Sequence, residues 1–447
     1  MKISIIGTGY VGLVSGVCLA SKGHKVICVD LKQEITNNLS LGIPHIHEND
    51  LKSLLDNVIK RGLFKASNNL NYALDNSDIV LLAVGTPCEN GKIDLSQVET
   101  VSKQIGNYIK NNSKFLSVIV KSTVVPGTTD SFVKDIIENE SGKKLGDFGL
   151  GMNPEFLREG VAIKDFMYPD RVVIGYEDEK TRSLLKKMYS PWNCEKLFCN
   201  TRTAEMIKYS SNTLLACLIS MNNELSNLTS RIGNIDYMDV IEGVSLDKRW
   251  SPIIDNKRVK PSIISYFTPG AGFGGSCFPK DVQAIKAQGE SYGLDMMMTN
   301  SILSVNENQP NQVLEMLKNN SNLKKKVLLL GLAFKPDTDD IRESSSIKIL
   351  NLLLSNKYYV IANDPIAMKN TKKEIKHDNL VFIRDWENEI DNTDIIIIGT
   401  SCKDYNSLKN ILSITDVKKL IIDCKRLFKP NDFKKHNYLT FGKNQVL

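Results

Sequence analysis

The sequence predicts an α/β protein built from two Rossmann-like, doubly wound parallel sheets joined by a long central helix. Short, nearly continuous apolar runs alternate with helical stretches over the first ~200 residues, and again from residue 325. Such runs are typical of parallel strands buried on both faces, and their alternation with helices implies right-handed βαβ units. Between these regions, residues 203–231 contain neither Pro nor Gly and carry apolar side chains at helical spacing.

Each region supplies several predicted elements. Strands in the first region are expected at 2–6, 25–29, 78–84, 117–123, 149–153 and 171–175. The second region is expected to contain strands at 325–334, 358–365, 394–400 and 419–424, with a helix at 343–356. Gly233 ends the central helix in this interpretation. The proline-rich segment 247–280 is expected to form loops and short turns.

Length and composition limit the class of protein. A chain of 447 residues predicts two to four domains at ~100–200 residues each. We divide it into a first Rossmann-like domain at 1–200, a central helical region at 201–315 whose long helix is expected to bridge domains or form a dimer interface, and a second Rossmann-like domain at 316–447. The ordinary apolar and charged fractions, 42% and 24%, argue against disorder, collagen and coiled coil. A net charge of +6 is too small to indicate nucleic acid, and the absence of an apolar run near ~18 residues argues against a membrane-spanning protein.

The N-terminus and the cysteines bear on the compartment. Glycines and a tyrosine in MKISIIGTGYVG precede any apolar signal-peptide region, so we expect a cytoplasmic protein. The nine cysteines are odd in number and include no CxxC pair. This pattern argues against a disulfide framework or a zinc site, and we expect no metal.

A dinucleotide fingerprint opens the chain. Gly7, Gly9 and Gly12 form GxGxxG, with Tyr10 and Val11 between the last two, directly after one predicted strand and at the start of a helix. In this motif the first glycine permits a tight turn, the second admits the pyrophosphate, and the third allows close helix–strand packing. Asp30 follows the second strand, where a carboxylate accepts hydrogen bonds from a ribose 2′-OH and repels a 2′-phosphate. The motif therefore predicts NAD rather than NADP, with FAD as a minor alternative.

A second motif, GFGGSCFPKD at 272–281, carries a candidate nucleophile. Glycines before Cys277 allow backbone or ligand to approach its sulfur, and the cation of Lys280 favours a thiolate. Asp281 is a candidate for orienting water or a neighbouring side chain. The alternative interpretation is a turn that contains a buried thiol.

Further polar residues follow predicted strand ends or share a helix face. Glu155 and Glu159 come after the fifth strand, at the carboxyl edge where open α/β sheets bind ligands. Lys208 and Asn212 are four residues apart on the long helix and so share one face. Thr86 and Thr123 also follow strands and are candidates for contact with nicotinamide or ribose. Capping, surface charge and a solvent-facing stripe are the alternatives for these positions.

Seven motifs in order now make the chain similar to a known family. They are MKISIIGTGYVG, VGTP (84–87), KSTVVPGT (121–128), NPEFLREG (153–160), AEMIKYSSN (204–212), GFGGSCFPKD (272–281) and GLAFKPDTDDIRESSS (331–346). Together they resemble the UDP-glucose/GDP-mannose dehydrogenase family, and the cysteine motif looks most like the members that act on UDP-glucose. The resemblance implies an N-terminal NAD-binding domain, a central dimerising helical region, and a C-terminal domain that binds UDP.

The resemblance also implies a reaction. A sugar C6 alcohol becomes a carboxylate in a four-electron oxidation that uses two NAD+, through a thiohemiacetal and a thioester on Cys277. Lys208 and Asn212 would stabilise negative charge on the reacting oxygen. Glu155, Thr123 and Asp281 would move protons and position water. For UDP-glucose the product would be UDP-glucuronate.

The resemblance further implies a set of binding residues. Its cofactor contacts correspond to Val11, Asp30, Thr86, Thr123, Glu159, Lys280 and Arg342. Its nucleotide-sugar contacts correspond to Glu155, Phe156, Leu157, Arg158, Glu159, Lys208, Asn212, Tyr266, Phe267, Thr268, Pro269, Gly270, Gly274 and Lys335. Because Arg342 belongs to the C-terminal half, we expect the active site in a cleft between domains.

Several alternatives stay open at this point. The segment after Asp247 is longer than in the family pattern, so either Arg249 or Arg258 is the candidate for a substrate arginine. The same chemistry on UDP-galactose, a UDP-N-acetylhexosamine or GDP-mannose is the nearest competing function. A two-electron hydroxyacid dehydrogenase would not need Cys277, and a non-catalytic regulator would bind both ligands without forming NADH.

Overall fold

The computed structural model describes residues 1–89, 91–320 and 326–443. The chain divides into two compact units, Met1–Ser211 and Asn212–Leu447, with the division inside one long helix. Among the residues described, no helix has both the length and the apolar character needed to cross a membrane. Lys325, the first residue of one predicted strand, lies outside the described residues.

The first unit contains an eight-stranded sheet, a two-stranded hairpin and the helices between them. Its strands are β1 (Lys2–Ile6), β2 (Lys25–Val29), β3 (Phe64–Ser67), β4 (Ile79–Leu82), β5 (Cys88–Glu89), β6 (Lys92–Ile93), β7 (Ser117–Val120), β8 (Gly149–Met152), β9 (Arg171–Tyr176) and β10 (Glu195–Cys199). Its helices are α1 (Tyr10–Ser21), α2 (Gln33–Ser40), α3 (Leu51–Lys60), α4 (Leu70–Asp75), α5 (Ser96–Lys110), α6 (Lys134–Ser141), α7 (Ala162–Met167) and α8 (Glu179–Met188), with a π-helical turn at Thr128–Val133. The long helix α9 (Thr201–Ile232) follows.

The strand order of the large sheet is β10-β9-β8-β7-β4-β1-β2-β3. The six strands from β8 to β3 are parallel and follow the doubly wound order, with the topological switch between β1 and β4. The large sheet departs from parallel pairing at one place, because β8 pairs antiparallel with β9. β9 and β10 then run parallel to each other at the edge.

The core of the first unit explains why the apolar runs are nearly continuous. In β4, Ile79 and Leu81 pack into one apolar cluster with α1 and α3, while Val80 and Leu82 pack into a second cluster with α5 and α6. All four side chains are completely buried. Alternate residues of a strand point to opposite faces, so a strand covered on both faces must be apolar throughout.

The second unit repeats this plan after a helical section. Its helices are α10 (Tyr237–Ser245), α11 (Phe278–Ser291), α12 (Met297–Asn320), α13 (Ser345–Ser355), α14 (Met368–Glu374) and α15 (Leu408–Ile414). Its strands are β11 (Ile253–Ile254), β12 (Lys257–Arg258), β13 (Lys326–Leu330), β14 (Tyr359–Asn363), β15 (Leu380–Phe382), β16 (Ile395–Ile398), β17 (Leu420–Asp423) and β18 (Asn437–Thr440). Four 3-10 turns complete it at Ser262–Phe267, Trp386–Glu389, Lys403–Ser407 and Pro430–Phe433.

The main sheet of the second unit has six parallel strands in the order β15-β14-β13-β16-β17-β18. This is the same doubly wound order. As in β4, alternate isoleucines of β16 pack into two different apolar clusters. The predicted fold class is therefore confirmed, including the long central helix α9.

The strands that were not predicted from the sequence lie mostly at sheet edges. Each main sheet has two end strands, and the sequence analysis predicted none of these four. They are β3 (FKAS), β10 (EKLFC), β15 (LVF) and β18 (NYLT). Edge strands are partly exposed and need no continuous apolar run. The expectation of loops and short turns at 247–280 is wrong in two respects, because β11 and β12 form a short hairpin there and α11 begins at Phe278. Pro279 lies in the first turn of α11, and a proline at this position is a sequence signal for the start of a helix.

Candidate active site

The glycine turn between β1 and α1 has separate structural and ligand-facing positions. Gly7 has φ +92°, which turns the chain into α1. A Cβ on Gly12 would lie 1.9 Å from the carbonyl oxygen of Gly7, so this position must stay glycine for the helix to pack. A Cβ on Gly9 would meet no atom within 4 Å. Gly9 therefore borders open space that a pyrophosphate can approach.

The groups around this turn fit a dinucleotide. Helix α1, described along its whole length, has neither an acidic residue in its first turn nor a side-chain cap, which leaves its N–H groups for an anion. Asp30 follows β2, and its Oδ2 accepts from Thr8 Oγ1 at 2.5 Å while its Oδ1 accepts from the Lys32 amide at 3.0 Å. The carboxylate is thus fixed at the strand end and retains acceptor capacity for a ribose.

The loops after β4 and β7 meet at the same sheet edge. Thr86 Oγ1 donates to the carbonyl of Thr123 at 2.9 Å, and Ser122 Oγ donates to the carbonyl of Val84 at 2.6 Å. The two threonines that the sequence singled out are therefore neighbours. β4 borders the topological switch and β7 is its neighbour in the sheet, and open α/β sheets bind ligands at this carboxyl edge.

A buried ion pair joins the loop after β8 to helix α9. Lys208 Nζ lies 2.9 Å from Glu155 Oε1, and both side chains are almost fully buried. Glu155 Oε2 also accepts from the Leu157 amide at 2.6 Å. Burial alone raises the pKa of Glu155, but the charge and hydrogen bond of Lys208 outweigh it and hold that pKa below the ordinary value. Glu155 is therefore an ionised acceptor.

The remaining residues of this loop have defined partners. The ring of Phe156 lies under the Arg171 guanidinium at 4.0 Å and 5.5 Å from Lys208 Nζ. Arg158 forms a paired hydrogen bond with Asp165, at 3.0 Å and 2.6 Å. Leu157 packs against the first-unit core, and Glu159 precedes Gly160, whose φ is +83°. The loop is thus held on both sides of Glu155.

The cysteine motif occupies a tight loop in the second unit. A Cβ on Gly274 would lie 2.2 Å from the carbonyl oxygen of Glu343, and the Gly275 amide donates to the Arg342 carbonyl at 2.9 Å. The Asn306 side chain holds the Phe273 amide at 2.7 Å and its carbonyl at 3.0 Å. The glycines therefore let this loop lie against segment 331–344, which gives Gly274 a packing role besides any contact with substrate.

Cys277 caps α11, and its polar neighbours lie one turn along that helix. The helix N-terminus favours negative charge on the Cys277 sulfur, which is partly accessible. Asp281 is fully buried and accepts from Asn212 Nδ2 at 2.6 Å and from Lys280 Nζ at 2.7 Å. Cys277, Lys280, Asp281 and Asn212 thus form one cluster within the second unit. Across the described ranges, no group of His, Cys, Asp or Glu side chains is arranged to hold a metal ion.

The other predicted binding residues of the second unit lie on two segments. Tyr266 and Phe267 end the 3-10 turn, with Phe267 buried against Trp250, and Thr268, Pro269 and Gly270 follow. Lys335 lies over the Phe334 ring, and Arg342 pairs with Asp340 through two bonds of 2.8 Å and 2.7 Å. These residues follow β13 or precede the cysteine loop.

The two candidate substrate arginines have local partners. Arg249 makes three bonds to the carboxylate of Asp247 at 2.5–3.1 Å and is exposed. Arg258 donates from Nη1 to the carbonyls of Leu246 and Ser251 at 2.8 Å and 2.9 Å. Arg258 therefore links the hairpin to the end of the preceding helix, and both arginines are exposed.

Comparison with known proteins identifies the family. Profiles of the UDP-glucose/GDP-mannose dehydrogenase family match residues 1–193 (NAD binding domain), 202–308 (central domain) and 328–430 (UDP binding domain). The chain belongs to the UDP-glucose/GDP-mannose dehydrogenase family. It is therefore an NAD-dependent oxidoreductase that acts on a nucleotide sugar.

The relatives of this dehydrogenase include more than one substrate class. It is 34% identical over 443 residues to UDP-glucose 6-dehydrogenase of Rickettsia conorii, covering 97% of each chain. It is also 34% identical over 421 residues to GDP-mannose 6-dehydrogenase of Pseudomonas aeruginosa, covering 92% of this chain and 94% of that one. A UDP-glucose dehydrogenase structure from Pyrobaculum islandicum matches with a TM-score of 0.88 and 35% identity, covering 99% of this chain and 96% of that one.

One charged neighbour of Glu155 was not anticipated. Lys121 is buried at the end of β7 and donates from Nζ to Asn153 Oδ1 at 2.9 Å, an oxygen that also accepts from Tyr189. Burial lowers the pKa of Lys121 to about 8, with Lys208 adding to that shift and Glu155 opposing it. The only sequence signal was its position two residues before Thr123.

The two glycines after Gly7 are expected to respond differently to alanine. Gly12→Ala should lower the melting temperature of the dehydrogenase markedly, because overpacking a tight contact costs about 1–3 kcal/mol. Gly9→Ala should keep the wild-type melting temperature and weaken NADH binding at least tenfold, because its Cβ enters the space left for the pyrophosphate. Thermal denaturation and NADH fluorescence titration check both. A stable Gly12→Ala protein, or a Gly9→Ala protein with wild-type NADH affinity, would contradict this assignment.

Proposed function

We propose that this dehydrogenase oxidises UDP-glucose at C6 to UDP-glucuronate, with two NAD+ consumed for each sugar. The observation that carries the proposal is the Cys277 cluster, in which a partly accessible thiol at a helix N-terminus lies one turn from a buried Asp281. A nucleophilic cysteine is what a four-electron oxidation requires and a two-electron oxidation does not. The similarity to UDP-glucose dehydrogenases over almost the whole chain supports the choice of sugar.

The role of Cys277 follows from the chemistry of an aldehyde. NAD+, when bound, accepts the hydrides that the substrate carbon loses. After the alcohol has become an aldehyde, the Cys277 thiolate adds to the carbonyl carbon, and the resulting thiohemiacetal again carries a hydride that can leave. Loss of that hydride gives a thioester, which water hydrolyses to the carboxylate with return of the thiol. The sum is one alcohol, one water and two NAD+ giving one carboxylate, two NADH and three protons.

We assign charge stabilisation to Lys208 and Asn212 and proton handling to Glu155, Thr123 and Asp281. Lys208 and Asn212 carry N–H donors for a developing oxyanion, the type of donor whose loss costs about 10²–10³ in turnover. Glu155 is held ionised and is suited to accept a proton from water. Asp281 fixes the Asn212 amide through its 2.6 Å hydrogen bond.

The binding residues are proposed from family correspondence and from their positions in the fold. Dinucleotide contacts are assigned to the Gly7–Gly12 turn, Asp30, Thr86, Thr123, Glu159, Lys280 and Arg342. Nucleotide-sugar contacts are assigned to 155–159, Lys208, Asn212, 266–270, Gly274 and Lys335. The division 1–200, 201–315 and 316–447 is likewise a proposal, supported by the three profile matches. A cytoplasmic location stays a prediction.

The second candidate function is the same reaction on another nucleotide sugar. The identity to a GDP-mannose 6-dehydrogenase equals that to a UDP-glucose 6-dehydrogenase, so percent identity alone does not separate these substrates. The matched share of this chain is 92% for the former and 97% for the latter. The choice of base and sugar lies in individual pocket side chains.

We also propose that the chain forms a homodimer through α9. Within the second unit, Leu214, Met221, Leu225, Leu228 and Ile232 are exposed apolar residues on this helix. Their spacing of seven, four, three and four residues matches the a and d positions of a helix that packs against another helix. Such a stripe on a protein surface is typical of an interface, and a second copy presents the same stripe.

Removal of the proposed nucleophile should abolish acid formation. Cys277→Ala is expected to lower turnover to the uronate by at least 10³-fold, because the aldehyde then has no thiolate to accept. Cys199→Ala, which removes a half-buried thiol whose pKa is raised by burial, is the matched control and should keep wild-type turnover. Acid-quenched wild-type protein should also carry the uronyl group on the Cys277 peptide, as a mass increase that hydroxylamine removes. Wild-type turnover in Cys277→Ala would contradict the mechanism.

A charge in the middle of the apolar stripe should break the dimer. Leu225→Glu is expected to shift the sedimentation mass from two chains to one, since like charges would meet across the helix pair. Leu41→Glu makes the same change at an exposed leucine of the first unit and should leave the mass unchanged. A monomeric wild-type protein, or a dimeric Leu225→Glu protein, would contradict this interface.

A further inference from the structure

A buried carboxylate outside the motifs discussed so far lies between α2 and α3. Glu48 is 7% exposed. Its Oε1 accepts from the Ala162 amide at 2.8 Å, and its Oε2 accepts from the Gly160 amide at 2.7 Å and from the Tyr10 hydroxyl. The adjacent Asn49 donates from Nδ2 to the Gly160 carbonyl at 2.8 Å. The side chains of Glu48 and Asn49 therefore bind the backbone N–H and the carbonyl of Gly160, respectively.

These bonds connect two functional segments of the first unit. Tyr10 is the first residue of α1 and follows Gly9, where the dinucleotide phosphates are expected. Its hydroxyl contacts both Glu48 and the Gly160 amide, the latter at 3.2 Å. Gly160 ends the loop that contains Glu155 and Glu159. One carboxylate thus fixes the glycine turn and the end of this loop together.

Accepting from the Gly160 and Ala162 amides explains a carboxylate at position 48, but it does not require the further bond from the Tyr10 hydroxyl. Burying a charge costs several kcal/mol unless donors compensate it, and Tyr10 is the donor that comes from the glycine turn. Burial and the proximity of Glu48 raise the pKa of Tyr10, which keeps its phenol protonated as a donor. The donors that converge on Glu48 come from the two segments that must be ordered for binding.

We propose that Glu48 is a positioning residue that couples dinucleotide binding to nucleotide-sugar binding. The inference rests on the proposed function, which assigns these ligands to the two segments. A dinucleotide at Gly9 restrains Tyr10 further, and the bonds from Tyr10 to Glu48 and from Gly160 to Glu48 transmit that restraint to the end of the 155–160 loop. The second ligand then loses less conformational entropy when it binds this loop, which gives positive cooperativity between the two sites.

The test measures the coupling itself. NADH and UDP-glucose form a complex that cannot react forward, so the Kd of NADH is measured by fluorescence with and without saturating UDP-glucose. Wild-type protein should show a ratio in the usual range of about 5–150. Tyr10→Phe and Glu48→Gln should each bring the ratio towards one, and the double variant should lose no more than either single variant.

A matched control separates coupling from stability. Tyr108→Phe also removes a tyrosine hydroxyl that donates to a carboxylate, in this case to Asp75 at 2.7 Å. Neither Tyr108 nor Asp75 belongs to the glycine turn or to the 155–160 loop. It should keep the wild-type ratio. If Tyr10→Phe and Glu48→Gln keep that ratio and only lower the melting temperature, the proposal is overturned. If Glu48→Gln does not fold, the Kd ratio of Tyr10→Phe alone decides whether the proposal holds, because that variant loses only one oxygen atom.

Failure of the proposed function gives a different result. The same titration is run with GDP-mannose and with UDP-N-acetylmannosamine. Coupling to one of these that is lost in Tyr10→Phe and Glu48→Gln, with none to UDP-glucose, supports Glu48 as the positioning residue and overturns only the assigned sugar. A wild-type ratio of one with all three nucleotide sugars overturns the coupling proposal, whether or not the protein oxidises UDP-glucose.

Discussion

Burial of parallel strands on both faces is the constraint on which the remaining structure depends. In β4 and β16 every side chain is buried, and alternate residues enter different apolar clusters. Polar chemistry is then restricted to the loops at the strand ends. Asp30, Thr86, Thr123 and Glu155 follow β2, β4, β7 and β8, so their convergence on one sheet edge is a consequence of strand direction.

Charge compensation is the second requirement. Lys121, Glu155 and Lys208 are buried close together, and each ion is tolerable only because it has a partner or strong hydrogen bonds. In the second unit, Asp281 is compensated by Lys280 and by the Asn212 amide. Each of these buried polar groups therefore has a partner that positions it, a condition that favours catalysis because it reduces reorganisation.

Much of the fold and most of the candidate site could be predicted from the sequence, and physical reasons separate these parts from the rest. Strands in the sheet interiors and the glycine turn carry local signals, namely continuous apolar runs and obligatory glycines. Edge strands such as β10, with sequence EKLFC, lack the apolar signal because one side faces solvent. The antiparallel pairing of β8 with β9 depends on chain direction over a long segment, which no local pattern encodes.

The residues missed at the site share one property: their partners are far away in sequence. Lys121 gains its significance from Asn153 and Glu155, and Glu48 from Tyr10, Gly160 and Ala162. A lone lysine after a strand or a lone glutamate before a helix has ordinary local explanations. Cys277, Lys280 and Asp281 were accessible to sequence analysis because their spacing of three and one residues keeps them together on one helical turn.

The central claim is a four-electron oxidation of UDP-glucose by one protein, and the ratio of NADH formed to nucleotide sugar consumed tests it most directly. Purified protein with excess NAD+ would be given UDP-glucose, and GDP-mannose and UDP-N-acetylmannosamine in parallel. We expect two NADH for each UDP-glucose and little NADH with the other two sugars. One NADH for each UDP-glucose, or two NADH only with another nucleotide sugar, would contradict it.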